Sequence, residues 1–141
     1  MNVRTSRRMR FVSVLLPAMM AACSQNNAGV GEDITGITWT LVEVNGTPVD
    51  AAALNKPATL LFDGQGRASG SSGCNQFGGA YTMEGAELEF GPIAMTRMAC
   101  PGRMDVETEY AAALEATRAW RVTDGVLELL ADDVVLARLR R

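Results

Sequence analysis

Four turn-forming pairs divide the chain into short segments: Asn45-Gly46, Asp63-Gly64, Glu84-Gly85 and Asp124-Gly125. Such pairs favour the tight turns of β-hairpins, because glycine adopts positive φ at no steric cost. The segments between them are short and rich in β-branched, aromatic and aliphatic residues. The pattern predicts a mostly β (α+β) domain, built as a small antiparallel β-sheet or partial barrel.

One segment near the C-terminal third has the period of a helix instead. Its apolar stripe recurs at helical spacing and consists of Val106, Tyr110, Ala113, Leu114 and Thr117. We expect Asp105 to cap the start of this helix, since a short acidic side chain can accept the free N–H groups there. The helix is then expected to pack across the open side of the sheet.

The N-terminus has the form of an export signal. Residues 1–10 carry four Arg, and residues 11–22 form the apolar run FVSVLLPAMMAA. A basic segment followed by a short apolar one is typical of a secretory signal peptide. The run is too short to span a membrane, because twelve helical residues cover only about 18 Å. We therefore assign residues 1–22 to a signal peptide.

The run ends in Met20-Ala21-Ala22-Cys23, which resembles the bacterial lipobox, although Met20 stands where Leu is usual. The resemblance implies cleavage before Cys23 and acylation of its thiol. The alternative is an ordinary signal peptide with Cys23 near the cleavage site. A paired Arg within residues 6–11 (SRRMRF) loosely resembles a twin-arginine export signal, so the export route stays open.

The position after the lipid predicts where the protein resides. Ser24 follows Cys23, at the position where an Asp often retains lipoproteins at the inner membrane. The absence of this Asp favours the outer membrane, facing the periplasm, in a cell that has one. Residues 23–35 are small and polar and are predicted to be a flexible tether that reaches about 20 Å. Residues 36–141 then form one domain.

Composition excludes several partners and reactions. The formal net charge is −3, with 13 basic against 16 acidic residues, and four of the Arg lie in the leader, so the remainder carries 9 − 16 = −7. An acidic domain without a basic stripe argues against nucleic-acid binding. The chain has no His, which excludes the usual serine and cysteine triads. No metal or cofactor is predicted, and Met83, Met95, Met98 and Met104 are expected to fill the core.

Three Cys are present, and an exported domain lies where disulfides persist. With a lipid on Cys23, a bridge is predicted between Cys74 and Cys100. The alternative is two buried free thiols.

Two ordered patterns carry a family resemblance. Residues 73–81 read GCNQFGGAY and residues 96–100 read TRMAC. They resemble the GCN-x-F-x-G-x-Y and T-x-M-A-C signatures of the META domain family, which includes the HslJ-type heat-shock lipoproteins. The resemblance implies a small β-rich domain with one helix in an envelope lipoprotein linked to stress tolerance. The match extends to an opening strand before these stretches and to a helix after them. The matching residues are Trp39, Leu41, Phe77, Gly79, Tyr81, Thr96, Met98, Glu107, Tyr110 and Leu114.

The first of these patterns has two interpretations. In one it is scaffold, with Phe77 and Tyr81 in the core, glycines at turns and Asn75 bonded to nearby backbone. In the other it is a polar recognition loop, formed by Ser71, Ser72, Gly73, Asn75 and Gln76.

The sequence thus predicts a non-enzymatic envelope lipoprotein that is held at the membrane by its lipid and binds a protein or envelope component. The alternatives are a structural or holdase-like stabiliser without a specific partner and, third, an enzyme.

Overall fold

The computed structural model describes residues 32–141, which form ten strands and one α-helix. In chain order the strands are β1 (Trp39–Val44), β2 (Thr47–Pro48), β3 (Ala58–Phe62), β4 (Arg67–Ser72), β5 (Gln76–Glu84), β6 (Glu87–Phe90), β7 (Ala94–Met95), β8 (Ala119–Thr123), β9 (Val126–Ala131) and β10 (Val134–Arg140). The helix, α1, spans Met104–Ala116, and a short 3-10 helix spans Ala51–Ala53.

Eight of the strands close into an antiparallel barrel. Their order is β1-β3-β4-β5-β6-β8-β9-β10, and β10 returns to pair with β1 from Thr40↔Arg140 to Val44↔Ala137. The two short strands β2 and β7 pair with β1 and β5 outside this ring. The predicted β-rich class is therefore confirmed, but the barrel is closed rather than partial. The barrel closes because its first strand pairs with its last, and the sequence pattern of a single strand does not encode such a pairing.

Two of the four predicted turn pairs adopt the conformation that their sequences favour, with positive φ at both residues. Asn45 and Gly46 have φ of 48° and 76°, and Asp124 and Gly125 have φ of 51° and 75°. Positive φ at both central residues is the mark of the type I′ turn, whose twist matches that of the flanking strands. These turns set the β1–β2 and β8–β9 hairpins.

Strand β5 runs through the first family pattern. It starts at Gln76 and includes Gly78 and Gly79, although the scaffold interpretation places the glycines of this pattern at turns. These glycines do not form turns. A Cβ on Gly79 would lie 2.8 Å from the carbonyl oxygen of Pro92, so the glycine permits two segments to approach closely.

Helix α1 closes one end of the barrel. It contacts β1, β4, β6, β9 and β10, which lie on different sides of the ring, so it packs across the end of a closed barrel rather than across the open side of a sheet. Its own Tyr110 and Leu114 side chains point into the barrel and are fully buried. The expected cap is wrong as well: Arg103 occupies the N-cap position without a side-chain bond, and Asp105 lies inside the first turn.

The folded domain begins before residue 36. Ile34, assigned to the tether, is 1% exposed, and its carbonyl oxygen accepts a 3.0 Å hydrogen bond from Trp39 Nε1. Thr35 bridges to Phe62. Residues 32–35 therefore pack with the barrel. The predicted signal peptide, Cys23 and the rest of the tether lie outside the described residues. Within residues 32–141, no helix has the length and apolar character needed to cross a membrane.

Candidate functional site

The two sequence patterns and the helix meet at one end of the barrel. Cys74, in the turn between β4 and β5, forms a disulfide with Cys100, just before α1, at a Cα–Cα distance of 6.0 Å. Both are buried, and the predicted pairing is confirmed. The bridge joins segments 26 residues apart in sequence and brings the neighbouring residues of both patterns into contact.

The side chain of Asn75 is the centre of this contact. Its Oδ1 accepts hydrogen bonds from the Thr96 hydroxyl (3.0 Å) and the Met98 backbone N–H (2.6 Å), while its Nδ2 donates to the Met98 carbonyl (3.0 Å). Asn75 is 1% exposed. One amide thus binds both backbone groups of Met98 and fixes the segment before the helix to the β4–β5 turn.

Glu107 completes the arrangement from the first turn of α1. Its carboxylate accepts hydrogen bonds from Asn75 Nδ2 (2.9 Å), from the Asn75 backbone N–H (3.2 Å) and from the Ser72 hydroxyl. Glu107 is buried, yet all of these donors are neutral, and no ion pair to it occurs within residues 32–141. We call the bonded set of Ser72, Asn75, Thr96, the Met98 backbone and Glu107 the asparagine latch.

An open groove of about 480 Å³ lies beside the latch. Its side chains are mostly apolar, and Met98 and Met104 are 55% and 37% exposed. The expectation that these methionines fill the core is therefore wrong for both. We call this surface the methionine groove; its lining residues are Asn75, Ile93, Met95, Thr96, Arg97, Met98, Ala99, Met104 and Glu107.

Comparison with known proteins decides the family. The META domain model matches residues 32–141, which is most of the chain and all of the barrel. The chain belongs to the META domain family. Helix, barrel and latch are therefore the features of this META domain.

Solved structures share this fold. An NMR structure of a protein from Burkholderia xenovorans is 31% identical, with a TM-score of 0.61 over 77% of this chain and 83% of that one. A crystal structure of a DUF4847 family protein from Bacteroides vulgatus covers 79% of this chain and 96% of that one at 17% identity, with a TM-score of 0.56, and so shows the fold alone. No curated protein matches the chain.

Most residues of the predicted recognition loop are inaccessible in this META domain. Ser71, Ser72, Gly73 and Asn75 are all buried, and the Ser71 hydroxyl accepts a 3.1 Å bond from the Gly73 N–H. Gln76 alone is exposed, and its backbone N–H donates to the Thr96 hydroxyl at 3.0 Å. The polar groups of the loop are used within the protein, so the structure favours the scaffold interpretation.

The aromatic residues of the family pattern fill the core beneath the latch. Phe77 packs edge to face on Tyr110 with ring centroids 5.8 Å apart, and Tyr81 packs similarly on Phe62 at 4.9 Å. The Tyr110 hydroxyl donates to the Thr59 carbonyl at 3.3 Å. Burial raises the pKa of Tyr110 above its ordinary value, so the hydroxyl keeps its proton and its hydrogen bond.

A second polar cluster lies on another part of the barrel wall. Glu128 of β9 pairs with Arg121 of β8 and with Arg138 of β10 (Nε to Oε1, 2.8 Å), and Arg138 also pairs with Glu43 of β1. We call these four residues the charged row. Burial alone would raise the pKa of Glu128, but hydrogen bonds from Arg138 and Arg121 outweigh it and hold the pKa below the ordinary value.

Sequence patterns missed the groove because its residues come from separate segments that only the fold brings together. Met95 and Arg97 stand in a segment with neither helical nor strand alternation, and the fold alone brings Met104 beside them. Within the described part of the chain, no group of three or more His, Cys, Asp or Glu is placed to hold a metal ion.

Proposed function

We propose that this META domain is a binding module of the bacterial envelope. A lipid on Cys23 anchors it to the membrane, and the methionine groove engages a protein or another envelope component during stress. The observation that carries the proposal is the position of exposed apolar side chains. Of the three large hydrophobic residues exposed in residues 32–141, namely Met98, Met104 and Val134, the first two lie in this groove.

The side chains of the groove suit a binding surface. Methionine is unbranched and polarisable, so it packs against partners of different shape, and it is frequent at protein-binding surfaces. The backbone beneath is held by the latch, because Asn75 binds both polar groups of Met98. A fixed backbone with adaptable side chains lowers the entropic cost of ordering the surface on binding.

The latch also favours binding over catalysis. Its hydroxyl, amide and carboxylate groups bond to one another, and Ser72 and Asn75 are each 1% exposed. A nucleophile or general base must reach a substrate atom, usually within hydrogen-bonding distance. These groups instead hold the segments that carry the groove, which supports a non-enzymatic role.

A second candidate is a holdase-like stabiliser without a specific partner. The same exposed methionines support it, because an adaptable apolar surface can contact many unfolded chains weakly. The two functions differ in the number of partners and in the stoichiometry of the complexes.

Crosslinking in living cells tests the proposal. A photoreactive amino acid at Arg97, an exposed residue of the groove, should give one dominant adduct with a single envelope protein or component. The matched control carries the same photoreactive amino acid in place of Asp124, in the β8–β9 turn outside the groove. This position should give no adduct. Many weak adducts from Arg97 would support the holdase function, and equal adducts from both positions would overturn a role for the groove.

The anchor has a separate test. Cells supplied with a labelled fatty acid should incorporate label into the wild-type chain and not into the Cys23→Ser variant. An unlabelled wild-type chain would refute the lipid anchor and leave the groove's binding function to be judged by crosslinking alone.

A further inference from the structure

Three methionines from separate parts of the chain line the methionine groove. Met95, Met98 and Met104 line one open space of about 480 Å³. Soft sulfur ligands select soft cations over magnesium, calcium or other hard ions. We propose that this groove binds a soft monovalent cation, Cu(I) or Ag(I), through these three side chains.

The backbone positions of the three methionines are fixed by the same elements. Met95 lies on β7 and pairs with Phe77 of β5, while Met98 is held at both its N–H and its C=O by Asn75. Met104 opens α1, and Glu107, one turn later, bonds to Asn75. Ligands that start from fixed positions form a more precise site than ligands on free loops. The latch therefore organises the groove for a ligand as small as one ion.

Charge around the groove is compatible with a cation. The buried Glu107 carboxylate lines the groove and accepts hydrogen bonds from neutral donors alone within residues 32–141. Its negative charge therefore has no ion-pair partner there. Arg97 also lines the groove, but its side chain is exposed and water screens its charge more strongly than that of a buried group. The nearby Arg103 bonds to the side chain of Asn55.

The available ligands disfavour zinc and hard cations. Cys74 and Cys100 are bonded to each other and offer no thiolate, and the chain has no His. The Glu107 oxygens already accept hydrogen bonds from the latch. The sulfurs of Met95, Met98 and Met104 are thus the free donors of the groove, and thioethers suit Cu(I) and its close analogue Ag(I).

The cation site does not rest on the proposed binding of a partner, although both use the same groove. Partner binding uses apolar area, which a Met→Leu substitution largely keeps because Leu has similar volume and hydrophobicity. Cation binding needs sulfur, which the substitution removes. Met→Leu variants therefore separate the two functions.

Silver titration of the full-length chain in detergent micelles tests the site, with methyl-labelled methionine followed by NMR in chloride-free buffer. One equivalent of silver nitrate should shift the methyl signals of Met95, Met98 and Met104. Met83, which lies on β5 outside the groove, is the internal control and should not move. Single Leu substitutions assign the signals among the eight methionines of the chain.

Affinity measurements complete the test. Loss of an outer-shell partner typically weakens metal binding about 10–100-fold, so each of M95L, M98L and M104L should weaken Ag(I) binding at least about tenfold. M83L should bind as the wild type does. Unchanged affinity in all three groove variants, or equal loss in M83L, would overturn the proposal. Because Met98 is exposed, M98L should fold normally, and circular dichroism checks this. Crosslinking from Arg97 that persists in M98L would show that partner binding stands whatever the silver result.

Discussion

The asparagine latch and the charged row are both clusters of polar side chains, but they have different structural roles. In the charged row, Glu128 faces Arg121 and Arg138 as register partners on neighbouring strands, so backbone pairing has already brought the residues together. In the latch, Asn75 and Glu107 belong to a turn and a helix that share no backbone ladder. The latch therefore determines where segments lie, whereas the row reinforces an existing arrangement.

The surroundings of the two clusters make their energies differ. Asn75 is 1% exposed, so removing one of its partners leaves buried polar groups unpaired, which costs about 1–3 kcal/mol for each group. The Arg121 and Arg138 side chains are 43% and 37% exposed. Ion pairs with such exposure contribute about 0–1 kcal/mol, because water screens them. Changes in the latch region should thus have larger effects than changes in the row.

The largest expected effect follows from removing the disulfide that flanks the latch. C74A/C100A should lower the free energy of unfolding by about 3.5 kcal/mol, since the bridge closes a loop of 26 residues' separation in the unfolded chain. Urea unfolding of the wild type and the double variant measures this. Wild-type protein treated with a reductant should match the variant, and equal stability of oxidised and reduced protein would show that the latch alone holds the segments.

Asn75→Ala should have the next largest effect, about 3 kcal/mol, because the Met98 N–H, the Thr96 hydroxyl and the Glu107 carboxylate lose buried partners. Thermal unfolding should show a clearly lower Tm. Gln76→Ala, at the exposed neighbouring position, is the matched control and should change the free energy by less than about 0.5 kcal/mol. If N75A is as stable as the wild type but no longer crosslinks from Arg97, Asn75 would contribute to recognition of the partner rather than to the scaffold.

Glu128→Gln in the charged row should have the smallest effect, about 1 kcal/mol at neutral pH. The pKa of Glu128 is lowered in the folded state, so its contribution is present above the unfolded pKa of about 4.3 and is lost as pH falls through the folded pKa. The difference between wild type and E128Q should therefore shrink on acidification, as urea unfolding at neutral and acidic pH would reveal. Glu89→Gln, whose partner Arg118 lies 4.0 Å away at an exposed site, should show no such change. A difference that grows in acid would mean that the pair does not stabilise the fold.

Local sequence signals predicted the strands and turns, and long-range contacts decided the rest. Glycine pairs such as Asn45-Gly46 mark hairpins because the turn depends on two adjacent residues. The roles of other glycines depend on distant neighbours: a Cβ on Gly70 would lie 2.0 Å from the Thr59 carbonyl oxygen, a contact that the sequence does not display.

The candidate site also combines features that the sequence predicts with features that depend on the fold. The disulfide could be predicted from the number of cysteines together with the predicted export of the chain. The burial of Asn75 could not, since a polar residue beside glycines has the same pattern in a turn and in a binding loop. The exposure of Met98 could not be predicted either, because an apolar residue two positions before a buried cysteine suggests core.

Closure of the barrel between β1 and β10 affects when the domain can complete its folding. If the chain leaves the cytoplasm unfolded and from its N-terminus, β1 emerges long before its partner β10. Until the last residues arrive, one edge of β1 offers unpaired N–H and C=O groups that can pair with other chains. Non-local closure of this kind also slows folding. Chains exported unfolded would therefore pass through an interval in which aggregation competes with closure, and that interval would lengthen when secretion is slow.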